Sequence, residues 1–182
     1  CLALASPGVS FSLSIDKKLY WQLPGEGSAL RSHRVEKILG HEFTENSKQI
    51  TGGASGISLI GWIGLPAYSR SQADRQYLFV NGRVIKDASL SHAVRRAYAD
   101  VLYRGRHPAY VLDLKIDPMT IDVNVHPTKN EVRFEDARSI HDFIYREVAQ
   151  ATADTRAGSN FASNESGWPG TSYNPHRIKP SK

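Results

Sequence analysis

A chain of 182 residues with 40% hydrophobic content can bury one core of ordinary domain size, and nothing in it demands a second. No apolar run approaches the ~20 residues of a membrane span, and the opening "CLALASPGV" turns polar too soon for a secretory leader. A single cysteine excludes an intramolecular disulfide and, with no clustered histidines, argues against structural zinc, so the expectation is a soluble intracellular protein with no membrane partner.

The net charge of +5 is unevenly placed. Between Arg75 and Pro108, seven basic residues (Arg75, Arg83, Lys86, Arg95, Arg96, Arg104, Arg106) stand against Asp87 and Asp100 alone. A basic zone of this kind is the footprint of an anion-binding face, polynucleotide included, and equally of a solvated helix face. Because the chain opens on Cys1 and holds one methionine, Met119, it reads as a fragment.

In chain order, the first residues resemble the last turn of a helix closed by Pro7 and Gly8. "VSFSLSI" (9–15) alternates Val9, Phe11, Leu13 and Ile15 with small polar residues, which predicts a strand with one buried face, paired with "KKLYWQL" in an antiparallel hairpin. A helix of about three turns is predicted from Ser28, with Leu30, Val35, Ile38 and Leu39 on its apolar face and Gly40 as its stop. "TENSKQITGGASG" carries glycines that fit neither a phosphate loop nor a dinucleotide fingerprint and reads as a mobile connection. "ISLIGWIGL" (57–65) is a strand, and "AYSRSQAD" a loop.

"QYLFVNGRVIK" contains the strongest local signal. Asn81-Gly82 between two β-rich runs marks a two-residue hairpin, since the type I′ turn needs positive φ at both central positions. Asp87 or Ser89 then caps a helix running to about Leu102, whose apolar stripe excludes Arg95 and Arg96. "AYVLDLKID" (109–117) is a strand, 122–134 holds two short strands around a turn, and a helix starting near Asp136 carries Ile140, Phe143, Ile144 and Val148. From about Ala151 the apolar pattern gives way to Gly, Ser, Asn and Pro, interrupted by Trp168 and Tyr173, so the organisation expected is a domain over 1–149 and a flexible linker over 150–182. The fold class is mixed α/β (α+β), with helices layered on a mostly antiparallel sheet.

No complete catalytic set emerges. The histidines at 33, 41, 92, 107, 126, 141 and 176 lack ligand spacing, and strand alternation separates Asp113, Asp117 and Asp122, which are assigned to surface and turn roles. The remaining candidate is "HPTKNEV", where Pro127 ends a strand and leaves Lys129 on a short projecting turn. A lysine so placed is either a solvated charge or a point-charge ligand for a phosphate.

"QYLFVNGRVIKD", a helix, and then "IDVNVHPTKNEVRF" resemble the C-terminal half of the ATPase region of the MutL family of DNA mismatch repair proteins, with "RVEKILGHEF" and "GWIGLPAYSR" in the matching order. The resemblance spans about residues 1–149. It implies the second-domain fold of gyrase-type ATPases and of a small-subunit ribosomal protein, including a left-handed β-α-β crossover. It further implies that an adjoining domain holds ATP with Mg2+, that Lys129 reaches the γ-phosphate, and that this stretch alone does not hydrolyse ATP. ATP would drive homodimerisation of the full-length protein into a clamp around DNA, in a bacterial cytoplasm at the nucleoid, alongside other mismatch repair proteins. Arg83, Lys86, Arg95, Arg96 and Arg138 are the candidate DNA contacts. The position of Ala88 is basic in some members, and this chain departs from them there. The alternatives are a stand-alone polynucleotide-binding module and a purely structural docking domain.

Overall fold

Among residues 2–6, 8–25, 32–122 and 132–162, which the computed structural model describes, the chain opens with α1 (Leu2–Ala5) and an antiparallel hairpin of β1 (Phe11–Ile15) and β2 (Lys18–Leu23). Asp16 and Lys17, both left-handed at φ 49° and 64°, make its turn. The alternation of 9–15 does form a strand, but its apolar residues are not buried: Val9, Leu13 and Ile15 are 52%, 41% and 48% exposed, and Leu19, Tyr20 and Trp21 of β2 are exposed as well. Two strands cannot cover each other's faces, and among the described residues only Leu23 of the pair reaches a core.

Helix α2 (Ser32–Leu39) ends at Gly40, as its spacing predicts, and is followed at once by the short α3 (His41–Glu45). The start expected at Ser28 lies outside the described residues. Arg34 of α2, 2% exposed, joins this region together, its guanidinium donating to the carbonyls of Ala3, Ser6, Val9 and Pro24 at 2.6–2.9 Å.

The main sheet contains β3 (Ser47–Ala54), β4 (Ile57–Gly64), β5 (Gln76–Val80), β6 (Arg83–Val84) and β7 (Tyr110–Lys115), in spatial order β3-β4-β7-β5-β6. Every neighbouring pair is antiparallel except β5 with β7. Parallel strands need a crossover, and here it runs from β5 through β6 and α4 (Ala88–Ala97) to β7. β3 corrects the expectation of a mobile connection at 44–56. An edge strand exposed on one side needs little apolar content, and its polar "SKQITGGA" pairs in continuous register with β4 from Ser47↔Gly64 to Ala54↔Ile57.

The sheet is buried on both sides. On one face Leu59, Ile63, Leu78, Val80, Tyr110, Leu112 and Leu114 pack against Leu90, Ala93 and Val94 of α4 and against Ile140, Phe143, Ile144 and Val148 of α5 (Ala137–Ala162). On the other, Phe79, Ala109 and Val111 meet Leu4, Val35, Leu39 and Phe43 of the first three helices. The period of two in β5 and β7 assigns alternate residues to the two layers. A mixed, mostly antiparallel sheet between helices is thus the architecture found. Helix α4 is capped by Asp87, whose carboxylate accepts from the Leu90 N–H at 2.8 Å, and it ends five residues before the expected Leu102, in turns. Helix α5 continues past the boundary expected at Gln150: Ala151 and Thr152 are buried, because the helix still lies over the sheet there.

Short strands β8 (Ile121–Asp122) and β9 (Arg133–Phe134) pair antiparallel, Ile121 opposite Phe134, and anchor the two ends of the 123–131 stretch to the sheet and α5. Lys129 lies in that stretch, outside the described residues.

Candidate functional site

Only part of the basic window is free to meet a ligand. Arg75 is spent inside the fold, donating to the Leu39 carbonyl at 2.6 Å and to the Tyr68 hydroxyl at 2.7 Å. Arg106 is held by Ser69, through its hydroxyl at 3.0 Å and its carbonyl. Arg96 lies 4.9 Å from the ring centre of Tyr145, a cation–π contact that ties α4 to α5. Arg83, Lys86, Arg95 and Arg104 are exposed and make no hydrogen bond or ion pair among the described residues.

The structure divides the residues chosen from sequence. Lys86 sits just before the N-terminus of α4, whereas Arg95 and Arg96 occupy its last turn, where positive charge also suits the helix dipole. Ten residues of helix separate the ends by about 15 Å. Arg83 lies one strand earlier, on β6, and Arg138 sits exposed in the first turn of α5.

At the α4 N-terminus a groove of about 420 Å³ brings together Lys86, Asp87, Leu90, Val132, Arg133, Phe134 and Ala137. Arg133 is a basic residue that sequence reading missed. Its alternation with Val132 and Phe134, both buried, was a signal that it faces outward. Two cations thus flank the first turn of α4, where the Asp87 carboxylate already caps the helix and sets one negative charge between them. The groove is bounded by Val132, the first described residue after the stretch that carries Lys129.

The larger cavity, about 810 Å³, has the opposite character. Asp117, Glu135, Asp136 and Asp142 line it, against the single cation Arg146, together with the apolar Ile57, Ile140 and Phe143. Two of these acids have structural work. Asp117 accepts from the Met119 N–H at 2.9 Å, and Asp136 caps α5 through the Ser139 N–H at 3.0 Å, hydrogen bonds that hold its carboxyl below the usual range. With four carboxylates to one arginine, this lining disfavours a polyanion. No group of three His, Cys, Asp or Glu side chains among the described residues is arranged to hold a metal ion, and no described helix is long and apolar enough to cross a membrane.

Of the three aspartates assigned to surface and turn roles, Asp117 takes the turn role and Asp122 is exposed. Asp113 differs. It is 4% exposed on the central strand β7, its Oδ2 3.0 Å from the Lys115 ammonium and its Oδ1 without a hydrogen-bond partner among the described residues. The reason is topological: β7 has neighbours on both sides, Ile60 of β4 and Phe79 of β5, so even its polar positions are enclosed.

Comparison with known proteins adds to this geometry. The DNA mismatch repair protein C-terminal domain family matches residues 35–153. The chain is 48% identical over 167 residues to the DNA mismatch repair protein MutL of Chromohalobacter salexigens, covering 91% of this chain and 26% of that protein. It is 51% identical over 159 residues to MutL of Xylella fastidiosa strain 9a5c, covering 87% and 25%. It therefore spans about a quarter of the length of the curated relatives it matches. A solved structure, the N-terminal domain of a DNA repair protein, shares the fold with a TM-score of 0.69 and 19% identity over 87% of this chain and 52% of that one.

Proposed function

Since this chain belongs to the MutL family of DNA mismatch repair proteins, we propose that it is the second, transducing domain of a longer ATPase, delivering Lys129 to the γ-phosphate of an ATP held by an adjoining domain. Residues 1–149 belong to that domain, Ala151 and Thr152 on the same helix still pack into it, and the chain beyond α5 leads into a linker. The β5–α4–β7 connection is taken as the left-handed crossover of the gyrase-type fold. ATP supplies the phosphoryl group to be cleaved, and Mg2+ is assigned to the adjoining domain. Lys129 supplies a mobile point charge where negative charge develops.

The observation that carries this reading is the groove at the α4 N-terminus. Val132 and Arg133 follow directly on the stretch bearing Lys129, and Arg133 shares the groove with Lys86, two cations against the single carboxylate of Asp87. The exposed apolar residues of the β1–β2 hairpin also suit it, since they offer an adjoining domain a surface to bury. ATP-driven homodimerisation would bring the basic faces of two copies together around DNA, with Arg83, Lys86, Arg95, Arg96 and Arg138 contributing charge and other mismatch repair proteins docking on the clamp.

In the full-length protein, Lys129→Ala should lower ATP turnover roughly a hundredfold or more while leaving the unfolding midpoint in place, the scale expected for losing one charge-stabilising donor. Unchanged turnover would remove Lys129 from the ATP site.

A second reading, a stand-alone polynucleotide-binding module, draws on Arg83, Lys86, Arg95 and Arg104, exposed and without an ion pair among the described residues. It requires the isolated chain to bind duplex with a log–log salt slope of about −0.9 per neutralised phosphate, and to lose binding when Arg95 and Arg96 are reversed to glutamate. Binding that returns only when the ATP-holding part is restored supports the first reading instead.

A further inference from the structure

The most exposed aromatic side chain among the described residues is not on the hairpin. Tyr103, 89% exposed, projects from the loop between α4 and β7, in the sequence Tyr103-Arg104-Gly105-Arg106. Burying so large a ring is favourable in most settings, so a tyrosine held in water on a well-anchored loop gains free energy from a flat partner at little ordering cost. The anchoring is extensive. Val101 and Leu102, just before the tyrosine, pack against the core, and both return N–H bonds to the Tyr98 carbonyl, at 3.0 and 3.1 Å. A tight turn follows, closed by the Arg106 N–H to the Tyr103 carbonyl at 3.1 Å, with Gly105 at φ 76°, a conformation that glycine adopts without strain. Arg106 is bonded to Ser69, and His107 exchanges both backbone hydrogen bonds with Arg70 at 2.8 Å. The ring is presented by a preformed loop.

Its neighbours in the chain are cationic. Counting from the last turn of α4 through the loop, Arg95, Arg96, Arg104 and Arg106 are opposed by Asp100 alone. Arg104, at the tip beside the ring, makes no hydrogen bond or ion pair among the described residues. With Arg96 on Tyr145 and Arg106 on Ser69, it is Arg104 that pairs with the exposed ring, a surface for stacking a base next in the chain to a charge for a phosphate, the combination that single-stranded nucleic acid binds.

We propose that Tyr103 is a stacking platform for an unpaired base of single-stranded DNA, with Arg104 neutralising an adjacent phosphate. This rests on the reading of the chain as part of a DNA repair protein and adds to it a contact residue. In duplex the bases are already stacked, so the ring offers duplex nothing that it offers a single strand.

The test uses the full-length protein and fluorescence anisotropy, with a labelled oligothymidine and a duplex of equal length across a salt series. Tyr103→Ala should weaken binding of the single strand about five- to a hundredfold, leave duplex binding unchanged and keep the salt slope, because stacking releases no counterions. Tyr103→Trp should retain affinity, its indole fluorescence being quenched on binding. Arg104→Ala should instead reduce the slope by about 0.7. If Tyr103→Ala binds the single strand like the parent, or loses duplex equally, the platform is overturned and the ring is left to a protein partner. If the parent protein binds neither nucleic acid, the DNA-binding part of the proposed function falls with it.

Discussion

Asn81 grips the backbone of Ile116 with both ends of its side-chain amide, Nδ2 donating to the carbonyl at 2.9 Å and Oδ1 accepting from the N–H at 3.1 Å. Its own N–H donates to the Leu114 carbonyl at 2.8 Å, so one residue extends the β5–β7 pairing beyond the end of both strands. It also turns β5 into β6 at φ 50°, with Gly82 at φ 77°. The turn residue and the sheet clasp are the same side chain.

Asn81→Ala should therefore lower stability by about 1–3 kcal/mol in urea denaturation, because it strands two half-buried backbone groups. Asn81→Asp keeps the acceptor and loses the donor, and should fall between the two. An unmoved midpoint for the alanine variant would mean that water replaces the clasp at no cost.

Arg34 links α1, the hairpin and α2 through four carbonyls, with Phe11 5.9 Å from its guanidinium. Removing it as Arg34→Ala should cost about 2–4 kcal/mol, since these are hydrogen bonds to a buried charged group. Arg34→Lys should recover only part, lacking the planar fork that serves several acceptors at once. Hydrogen exchange in β1 and β2 should accelerate while β4 and β7 keep their protection; uniform loss across the sheet would contradict a local clamp.

Burial raises the phenol pKa of Tyr98 and of Tyr110, the latter opposed by a hydrogen bond with Ser91 and the charge of Arg95. The unfolded chain gives up these protons near the ordinary value of about 10, the folded chain only at higher pH. The stabilisation is present in full below about pH 10 and drains away as pH rises above it. Tyr98→Phe should flatten this alkaline loss, and at neutral pH should cost about 1 kcal/mol for the hydrogen bond from its hydroxyl to the Gly64 carbonyl, 2.6 Å long. Thermal unfolding across pH 8–11 reads both effects; an alkaline limb as steep as the parent's would refute the assignment to Tyr98.

Gly61 on β4 lies opposite Leu112, and a methyl group there would run into the Val111 carbonyl and the Leu112 backbone. Backbone of a central strand cannot give way as a side-chain tip does. Gly61→Ala should cost about 3 kcal/mol or leave the domain unfolded, judged by circular dichroism and urea titration. Gly53, whose added methyl would meet only the Ile57 carbonyl at 3.7 Å, provides the tolerant control on the neighbouring strand.

The elements legible in the sequence were those whose signal is local. Asn81-Gly82 specifies its turn by backbone sterics, Asp87 caps α4 three residues before the N–H it accepts, and the alternation in 110–115 alone assigns Tyr110 and Leu112 to one layer and Val111 to the other. The motif around Lys129 was legible too, though only as a pattern shared with a family. What stayed hidden was whatever depends on a neighbour distant in sequence. The polar β3 is a strand because β4 offers it a ladder, and Asp113 is buried because strands flank it on both sides.

For the candidate site the division is the same. Sequence by itself determined that an excess of positive charge lies between Arg75 and Pro108, since charge is a property of residues. Tertiary structure decided which of those charges are available: Arg75 is consumed by Leu39 and Tyr68 and Arg106 by Ser69, while Lys86 gains Arg133 as a neighbour across a groove. Whether a cation faces a ligand or its own fold depends on which carbonyls and rings the folded chain brings within about 3–5 Å, and those partners are distant in sequence.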